Sequence, residues 1–387
     1  MAGVRNIHFK DYKELHRIAR REGVDLVVVG PEAPLAEGIV DLFRGVKVFG
    51  FNKATAQLEA SKVIAKEFMC RYGIPTADFA VFDDYAKALD YLKPRLQRGE
   101  RFFIKADELC GGKGSLPAGG REEAERALHF LFKERGCGRG ERVVIEQALE
   151  GEEVTIMAII DPEGDYVLLP PTQDHKRAYD GDQGPNTGGM GAHAPAPPVT
   201  PALQRKIIGR IIEPTLRGMA EENLGGAGVL YFGLLISGGE PYVLEYNVRF
   251  GDPEAQAALP LLRGDLYPIL LAAVEGRLEG AEVGWEEKAA VCVVLATQGY
   301  PLDYGHEREE IAGLTEAEAQ GDVLVYHAGT ELQDGRFITH GGRILGVTGL
   351  GETIAAARAR AYEAVEKIYF KGMRYRRDIA ARALGWR

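Results

Sequence analysis

The sequence predicts a mixed class, with α/β and α+β parts that form several domains. Near the start, a helical pattern stops at Gly23 and is followed by the apolar run VDLVVVG, as in one helix and strand of an α/β layer. From Ser61 onward, short strand and helix patterns alternate, and a third region from Ala289 carries β-rich pieces before a final helix. A chain of 387 residues has room for two or three domains of ordinary size.

The first predicted domain covers residues 1–58. Its helix from Asp11 to Arg21 leads into VDLVVVG, and GVKVFGF at 45–51 predicts the next parallel strand, with a helix in EGIVDLF between them. A doubly wound α/β domain usually opens on a strand and a phosphate-binding turn. Because this chain opens on a helix, we expect a partial domain that lacks its front.

The second predicted domain covers residues 59–255, with a mobile part at about 75–160. Its patterns include the helix SKVIAKEFMCRYG, the strand RFFIKAD and the hairpin of VLYFGLLIS with PYVLEYN, which turns at Gly238 and Gly239. The polar stretch at 173–201, QDHKRAYDGDQGPNTGGMGAHAPAPPVTP, is rich in glycine and proline. It is too long for an idle connector in a compact domain, so we predict a functional loop.

The third predicted domain, residues 288–387, is a small α+β unit. It begins with the strand AAVCVVLAT and ends in a helix that starts at Thr353. Apolar residues share one face of that helix: Ile354, Ala357, Ala361, Val365 and Ile368.

Charge and composition narrow the class of function. The net charge of -10 argues against binding to nucleic acid and favours a small anionic substrate. The four cysteines, Cys70, Cys110, Cys137 and Cys292, form no C-x-x-C pair, so neither a zinc site nor a disulfide framework is expected. Because the chain also lacks an export signal and a long apolar run, we expect a cytoplasmic protein that does not bind membranes.

A candidate metal site lies in LEYNVRFGDPEAQ. Strand alternation puts Val243, Glu245 and Asn247 on one face, with the last two about 7 Å apart. Carboxylate and amide oxygens suit Mg²⁺, which completes its shell with water and phosphate oxygens. Taken alone, Glu-x-Asn also fits a solvated edge strand. The charged residues Arg249 and Asp252 that follow around a glycine favour a ligand site instead.

Phosphate contacts are predicted in FIKADELCGGKG. Lys105 ends a strand, and Lys113 lies in a glycine-rich turn from Gly111 to Gly114 whose backbone N–H groups could approach phosphate oxygens. The spacing is not that of a Walker loop. An ordinary turn is the alternative for this pattern when it stands alone.

Two further stretches have polar patterns that suit a nucleotide and an anionic substrate. In VVIEQALEGEE, linker backbone groups can bind an adenine edge and Glu153 can accept hydrogen bonds from ribose hydroxyls. In the 173–201 loop, His175 is flanked by Asp174 and Lys176, and the run GGMG permits a flexible lid. The alternatives are solvated acids and a disordered loop.

The order of these motifs resembles the phosphoribosylamine-glycine ligase family of ATP-grasp enzymes. DHKRAYDGDQGPNTGGMGA is the most specific stretch, and QLEASKVIAKEFMCRYGIPT, HAGT, GGRILGVT and YFKGMRYRRDI also resemble that family. The resemblance implies an ATP-grasp fold, ATP with Mg²⁺ or Mn²⁺, and a monomer. It also implies ligation of glycine to 5-phosphoribosylamine through glycyl phosphate, with release of ADP and phosphate, in the second step of purine synthesis.

The resemblance also implies roles for residues at matching positions. Glu245 and Asn247 would be metal ligands, and Arg249, Lys105 and Asp174 would be catalytic. The nucleotide would contact Lys66, Lys105, Gly111, Gly112, Lys113, Gly114, Glu146, Gln147, Leu149 and Glu153. The substrates would contact Glu32, Asp174, Lys176, Asn186, Thr187, Gly188, Gly189, Met190 and Gly191.

The sequence departs from the family in two places. The family's opening strand and G-x-G-G-R-E-H turn, which helps to bind phosphoribosylamine, are not found in this sequence. The family's KADGLAAGKGV reads KADELCGGKGS here, where the pattern differs at Glu108, Cys110 and Gly111 and Pro117 enters the next strand. We expect both changes to weaken substrate or ATP binding. A different ATP-grasp carboxylate-amine ligase and a nucleotide-binding protein without turnover are the alternatives.

Overall fold

The computed structural model describes residues 4–110, 114–306 and 308–385. Among these residues, every helix is too short or too polar to cross a membrane. The predicted mixture of helices and several sheets is confirmed.

Helices and strands alternate through most of the chain. The N-terminal part contains α1 (Tyr12–Arg21), β1 (Val27–Val28), α2 (Glu32–Glu37), α3 (Ile39–Leu42), β2 (Val48–Phe51), α4 (Gln57–Ala60) and α5 (Lys62–Arg71). Next come β3 (Phe79–Phe82), α6 (Tyr85–Gln97), β4 (Phe102–Ala106), β5 (Ser115–Ala118), α7 (Arg121–Phe132), β6 (Val143–Gln147), β7 (Glu152–Ile160) and β8 (Tyr166–Leu168). The middle part continues with β9 (Gln173–Asp174), β10 (Arg177–Tyr179), β11 (Gln183–Asn186), β12 (Gly191–Ala194), α8 (Pro201–Ile207), α9 (Glu213–Glu221), β13 (Gly226–Ser237) and β14 (Glu240–Asn247). The C-terminal part contains α10 (Glu254–Ala258), β15 (Leu262–Arg263), α11 (Leu266–Val274), β16 (Gly284–Trp285), β17 (Ala289–Thr297), α12 (Leu314–Glu318), β18 (Val323–His327), β19 (Thr330–Gln333), β20 (Arg336–Thr339), β21 (Arg343–Gly351), α13 (Ile354–Val365) and β22 (Met373–Arg374).

A central sheet has the strand order β1-β2-β13-β7-β8, with β14 paired to β13. The predicted parallel pairing of the first two strands is confirmed. They do not form a sheet of their own, because β2 pairs with the start of β13 through Gly226 and Ala227. The N-terminal strands therefore bring the α2 segment to the edge of the central sheet.

A second sheet, in the order β3-β6-β4-β5, stands beside the central one. Helices α6 and α7 pack on it through an apolar core that includes Leu92, Ile104 and Leu128. Asp84 begins α6 by accepting a hydrogen bond from the backbone N–H of Lys87. This unit carries Lys105 on β4 and Glu146 on β6.

The prediction of one long loop over 173–201 is wrong. The stretch contains four short strands, β9 to β12, before Thr200 begins α8 as its N-cap. Both β9 and β12 join the C-terminal sheet, whose order is β18-β21-β17-β12-β9. Small residues such as Gly191 and Ala192 let β12 pair closely with β17, a long-range contact that local composition does not predict.

The C-terminal sheet is covered by α13, whose N-cap Thr353 accepts a hydrogen bond from the Ala356 N–H. The predicted apolar face is confirmed, since Ala357, Ala361 and Val365 are fully buried. Beyond this helix, the fully buried Arg376 binds Asp182 at 2.8 Å and Asp378 at 2.7 Å. This charged cluster fixes the β10–β11 hairpin to the C-terminal segment.

The prediction that the cysteines form no disulfide is wrong for one pair. Cys110 and Cys137 are joined by a disulfide, with their Cα atoms 5.7 Å apart. Their separation of 27 residues in sequence carries no recognisable spacing signal. Packing of the chain after α7 against the end of β4 brings them together. Cys70 and Cys292 are free.

Candidate active site

A cleft of about 1430 Å³ lies where the N-terminal part, both central sheets and the C-terminal sheet meet. Its walls include Glu32 near the N-terminus, Lys105 and Glu245 in the middle of the chain, and Arg343 in the C-terminal part. Residues far apart in sequence therefore face one solvent-filled space. It is large enough for a nucleotide together with a small substrate.

Two buried lysines share one carboxylate on the nucleotide side of this cleft. Glu146 Oε2 lies 2.9 Å from Lys105 Nζ and 3.1 Å from Lys66 Nζ. Lys66 also donates to Thr76 Oγ1 at 2.6 Å. Burial lowers the pKa of Lys66 to about 8, although Glu146 opposes the shift. Burial would raise the pKa of Glu146, but both lysine charges outweigh it and lower that pKa.

The two lysines leave one carboxylate oxygen of Glu146 as a free hydrogen-bond acceptor for a ligand. Among the described residues, Glu146 Oε1 is buried without a hydrogen-bond partner. Gln147 and Leu149, which follow on the linker after β6, also line the cleft. Gly114 also lines the cleft, while the predicted contacts Gly111, Gly112 and Lys113 fall outside the described residues. The described residues among the predicted phosphate and adenine contacts thus line the same cleft.

Three neighbouring residues at and just after the end of β9 face alternate sides. Asp174 and Lys176 line the cleft, and Lys176 Nζ lies 2.6 Å from Glu153 Oε2. Burial raises the pKa of Asp174 to about 7, while the charge of Lys176 keeps the pKa of Glu153 below its usual range. His175 points the other way, where its Nε2 accepts a hydrogen bond from the Ala380 N–H at 3.0 Å. Burial lowers the pKa of His175 to about 3, so it stays neutral as an anchor.

The predicted substrate stretch 186–191 divides into two halves. Asn186, Thr187 and Gly188 line the cleft. Met190 instead has its side chain fully buried in the C-terminal core, and Gly191 pairs with Val293 of β17. Gly189 has φ +110°, and a Cβ there would lie 2.4 Å from Pro253 Cδ. Residues 189–191 therefore pack against neighbouring segments and support residues 186–188, which line the cleft.

Two residues of the C-terminal part secure the first half. The backbone N–H of Gly188 donates to the Tyr300 hydroxyl at 2.9 Å. Arg343 donates to the Gly188 carbonyl at 2.8 Å and pairs with Asp252 at 2.9 Å. Sequence reasoning assigned neither residue, although Arg343 lies within GGRILGVT.

The candidate metal ligands lie at the end of β14. A bulge makes Leu244 an extra residue opposite β13, because Gly233 pairs with Glu245 and Leu234 pairs with Val243. The predicted alternation is therefore wrong for Val243, which is buried in the core. Glu245 and Asn247 lie beyond the bulge, and both line the cleft.

The chemistry of these two side chains fits a divalent cation. Burial would raise the pKa of Glu245, but Lys176, Lys105 and other nearby cations lower it, so the carboxylate is ionised. Within the described part of the chain, Glu245 makes no direct ion pair, and no group of three or more His, Cys, Asp or Glu residues could hold a metal. Such a small protein ligand set suits Mg²⁺, which keeps several waters and binds substrate phosphates.

Arg249 lies between the metal side and the N-terminal part. Its Nε lies 3.3 Å from Glu32 Oε2, and its Nη2 lies 3.4 Å from Glu59 Oε1. Glu59 also accepts a hydrogen bond from the Val248 N–H at 2.7 Å. Burial raises the pKa of Glu59 to about 7 despite the nearby Arg249 charge. Two carboxylates from distant segments of the chain thereby fix the position of the Arg249 guanidinium in the cleft.

Sequence reasoning missed several residues of the cleft. Glu59 and Lys62 lie in QLEASK, a stretch that suggested the family but no role for these side chains. Tyr231 donates to Glu254 at 2.8 Å and accepts from Thr155 at 2.9 Å, so β13 also contributes a polar group. The residue pattern of β13 does not predict that Tyr231 contributes a polar group to the cleft, because this strand is apolar on both faces.

Comparisons with known proteins agree with this architecture. Residues 60–255 match the ATP-grasp (A) domain of phosphoribosylglycinamide synthetase, residues 290–382 match its C domain, and residues 1–59 match its N domain. A phosphoribosylamine–glycine ligase of Ralstonia nicotianae is 46% identical over 385 residues, covering 98% of this chain and 90% of that protein. One from Caldanaerobacter subterraneus is 42% identical, covering 97% and 89%.

Comparison with solved structures also finds similarity to a phosphoribosylamine–glycine ligase. The crystal structure of a phosphoribosylamine–glycine ligase from Thermotoga maritima has a TM-score of 0.77 at 38% identity, covering 91% of this chain and 85% of that one. The biotin carboxylase domain of Hydrogenobacter thermophilus 2-oxoglutarate carboxylase has a TM-score of 0.70 at 19% identity, covering 94% and 78%, which reflects the fold alone.

The fold and the cleft together define a protein of the ATP-grasp class. Within that class, the chain belongs to the phosphoribosylglycinamide synthetase family.

Proposed function

We propose that this protein ligates glycine to 5-phosphoribosylamine, giving glycinamide ribonucleotide, ADP and phosphate in purine biosynthesis. The observation that carries the proposal is the near full-length similarity to phosphoribosylamine–glycine ligases, joined to a cleft lined by lysines, carboxylates and one arginine. We further propose a cytoplasmic monomer whose mobile unit, about 75–160, covers the nucleotide.

The chemistry requires a carboxylate to become a leaving group before an amine can attack it. Glycine's carboxylate oxygen attacks the γ-phosphorus of ATP, ADP leaves, and glycyl phosphate forms. The phosphoribosylamine nitrogen then attacks the glycyl carbonyl, a carbon–nitrogen bond forms, and inorganic phosphate leaves with loss of a proton from nitrogen. Such transfers depend on positioning and charge neutralisation more than on a nucleophilic side chain.

The nucleotide side is assigned to Lys66, Lys105 and the 111–114 turn. Their charges and N–H groups would neutralise phosphate oxygens, while Glu146 to Leu149 and Glu153 would hold adenine and ribose. Glu245 and Asn247 would hold the divalent cation, Mg²⁺ or Mn²⁺. When bound, the cation neutralises charge on the phosphate oxygens.

The substrate side is assigned to Arg249, Asp174 and Lys176 with the 186–191 stretch. Arg249 would stabilise charge on the phosphoryl group in transfer, and its partner Glu32 would lie near the ribose of phosphoribosylamine. Asp174 is suited to accept the proton released by the attacking amine, because burial raises its pKa to about 7.

The test supplies glycine, Mg²⁺ or Mn²⁺ with ATP, and freshly generated phosphoribosylamine. Mass spectrometry then follows glycinamide ribonucleotide, with ADP release measured in parallel. We expect product only when all components are present. ADP release with another amine or carboxylate would indicate a different ATP-grasp ligase. ATP binding without product would indicate a nucleotide-binding protein without turnover.

A further inference from the structure

His175 lies between two residues of the cleft, but its own side chain faces away from that cleft. Asp174 and Lys176 line the cleft, whereas His175 has only 7% of its surface exposed. Successive side chains of an extended backbone point to opposite sides, so the placement of the middle residue fixes the direction of both neighbours. The proposed chemistry uses the two neighbours and gives the buried imidazole no role.

The backbone around His175 is tied to the stretch assigned to the substrates. The His175 N–H donates to the Gly191 carbonyl at 2.9 Å, and the His175 carbonyl accepts from the Met190 N–H at 2.8 Å. The Lys176 carbonyl accepts from the Thr187 N–H at 2.8 Å. These hydrogen bonds fix where the backbone runs, and the imidazole provides a further attachment on the side away from the cleft.

The imidazole of His175 is anchored on the C-terminal segment. Its Nε2 accepts a hydrogen bond from the Ala380 N–H at 3.0 Å, which requires that this nitrogen carry no proton. Burial lowers the pKa of His175 to about 3, so the acceptor persists at neutral pH. Ala380 is fully buried and has φ +60°, a left-handed conformation that residues with a Cβ seldom adopt. Surrounding contacts therefore hold the donor N–H in one direction, toward the imidazole.

The segment that carries Ala380 is itself fixed to α13. The Ile379 N–H donates to the Tyr362 hydroxyl at 3.1 Å, and the Ile379 carbonyl accepts from Arg358 Nε at 2.9 Å. Ile379 also packs on Gly191, where an added Cβ would lie 2.8 Å from Ile379 Cδ1. The imidazole thus joins the wall of the cleft to a helix of the C-terminal part through a short series of contacts.

We propose that His175 is a positioning residue of the ligation reaction, which holds Asp174 and Lys176 toward the substrates by anchoring the wall of the cleft on the C-terminal segment. The inference rests on the proposed function, in which both neighbours serve the substrate side. The imidazole faces away from the cleft, so it acts through these neighbours. Loss of its acceptor releases the direction of both side chains, and a displacement of about 1 Å at a reacting group can lower turnover by about 100-fold.

Two substitutions at His175 separate positioning from packing. His175→Leu keeps an apolar side chain but offers no acceptor to the Ala380 N–H, whereas the amide oxygen in His175→Gln restores an acceptor near the position of Nε2. We expect kcat for glycinamide ribonucleotide to fall roughly 10- to 100-fold in His175→Leu and to return to within about threefold of wild type in His175→Gln. The KM for ATP should change by less than about threefold, because the lysines around Glu146 are unaltered.

The matched control is His193→Leu, which removes another buried imidazole, with a ring centroid 6.2 Å from that of His175. His193 lies on β12 between Ala192 and Ala194, which are buried in an apolar core. We expect His193→Leu to keep kcat within about threefold of wild type. An equal loss of kcat in His193→Leu, or no recovery in His175→Gln, would indicate a general effect of packing and overturn the proposal.

Thermal melting checks that each variant is folded at the assay temperature. If His175→Leu does not fold, His175→Asn replaces it in the comparison, because its shorter side chain does not reach the Ala380 N–H. The same loss of kcat is expected in His175→Asn, and turnover equal to wild type would overturn the proposal.

Hydrogen exchange tests the anchor without turnover. In His175→Leu, the Ala380 amide and the peptide that covers residues 174–177 should exchange at least about tenfold faster than in wild type. Unchanged protection of the Ala380 amide in the folded variant would overturn the proposal. Absence of glycinamide ribonucleotide from the wild-type protein would overturn the proposed function, whereas product from wild type with an undiminished kcat in His175→Leu would overturn only the positioning role.

Discussion

Glu146 Oε2 lies 2.9 Å from the Nζ atom of Lys105, and both side chains are almost completely buried. The same oxygen binds Lys66, so one negative charge balances two positive charges in the resting cleft. This arrangement places two lysine side chains around one buried carboxylate, where an anionic ligand would add a second negative charge.

Replacing that carboxylate should destabilise the empty protein. In Glu146→Gln, two buried ammonium groups lose their counter-charge, and we expect the free energy of unfolding in urea to fall by roughly 3 kcal/mol. MgATP should restore part of the loss, because its phosphates supply negative charge. The exposed Glu150→Gln is the control and should stay close to wild type. Equal stability of both variants would contradict the ionic role of Glu146.

Glu245 is expected to control metal use. Removing its charge in Glu245→Gln should lower kcat/KM by about 100-fold and raise the metal concentration needed for half-maximal rate. Glu240→Gln, on the same strand but outside the cleft, serves as the matched control. The measurement is a steady-state titration with Mg²⁺ and then Mn²⁺. An unchanged metal dependence would remove Glu245 from the metal site.

Glu59 should make stability fall as pH rises. Its pKa is about 7 in the folded protein against 4.5 for the free side chain, so the native state holds the proton over this window. The contribution of Glu59 to the free energy of unfolding is therefore fully present below pH 4.5 and is lost as the pH rises to about 7. The slope of this loss is no more than about 1.4 kcal/mol per pH unit.

Glu59→Gln should remove this slope, while Glu67→Gln on the exposed face of α5 should keep it. The measurement is urea unfolding of all three proteins at several pH values from 4.5 to 8. Parallel pH curves for wild type and Glu59→Gln would show that Glu59 does not titrate in this window.

Arg376 should be needed to hold the β10–β11 hairpin. Arg376→Ala leaves Asp182 and Asp378 without their buried partner, so we expect a loss of about 3–5 kcal/mol in the free energy of unfolding. Arg377→Ala, next to it but exposed, should change stability by less than about 0.5 kcal/mol. Hydrogen exchange should show faster opening of residues 177–186 in the first variant. Wild-type protection there would contradict the role.

Local patterns predicted the elements that depend on neighbouring residues. The apolar face of α13 and the hairpin of β13 with β14 both follow from residue spacing within a few positions. Motif order also placed Lys105, Glu153 and Glu245 in one cleft, as the structure has them. Periodicity is a local property, so it can be read without knowledge of the fold.

Long-range packing decided the remaining features. The bulge at Leu244 changed which neighbour shares a face with Glu245, since bulges depend on strand pairing. The partners Glu32 and Glu59 of Arg249, and the contacts of Tyr300 and Arg343 with Gly188, join segments distant in sequence. The Cys110–Cys137 disulfide has the same origin. The sequence by itself determined the residue types and their local elements, whereas tertiary packing decided which charges and thiols lie within a few ångströms of each other.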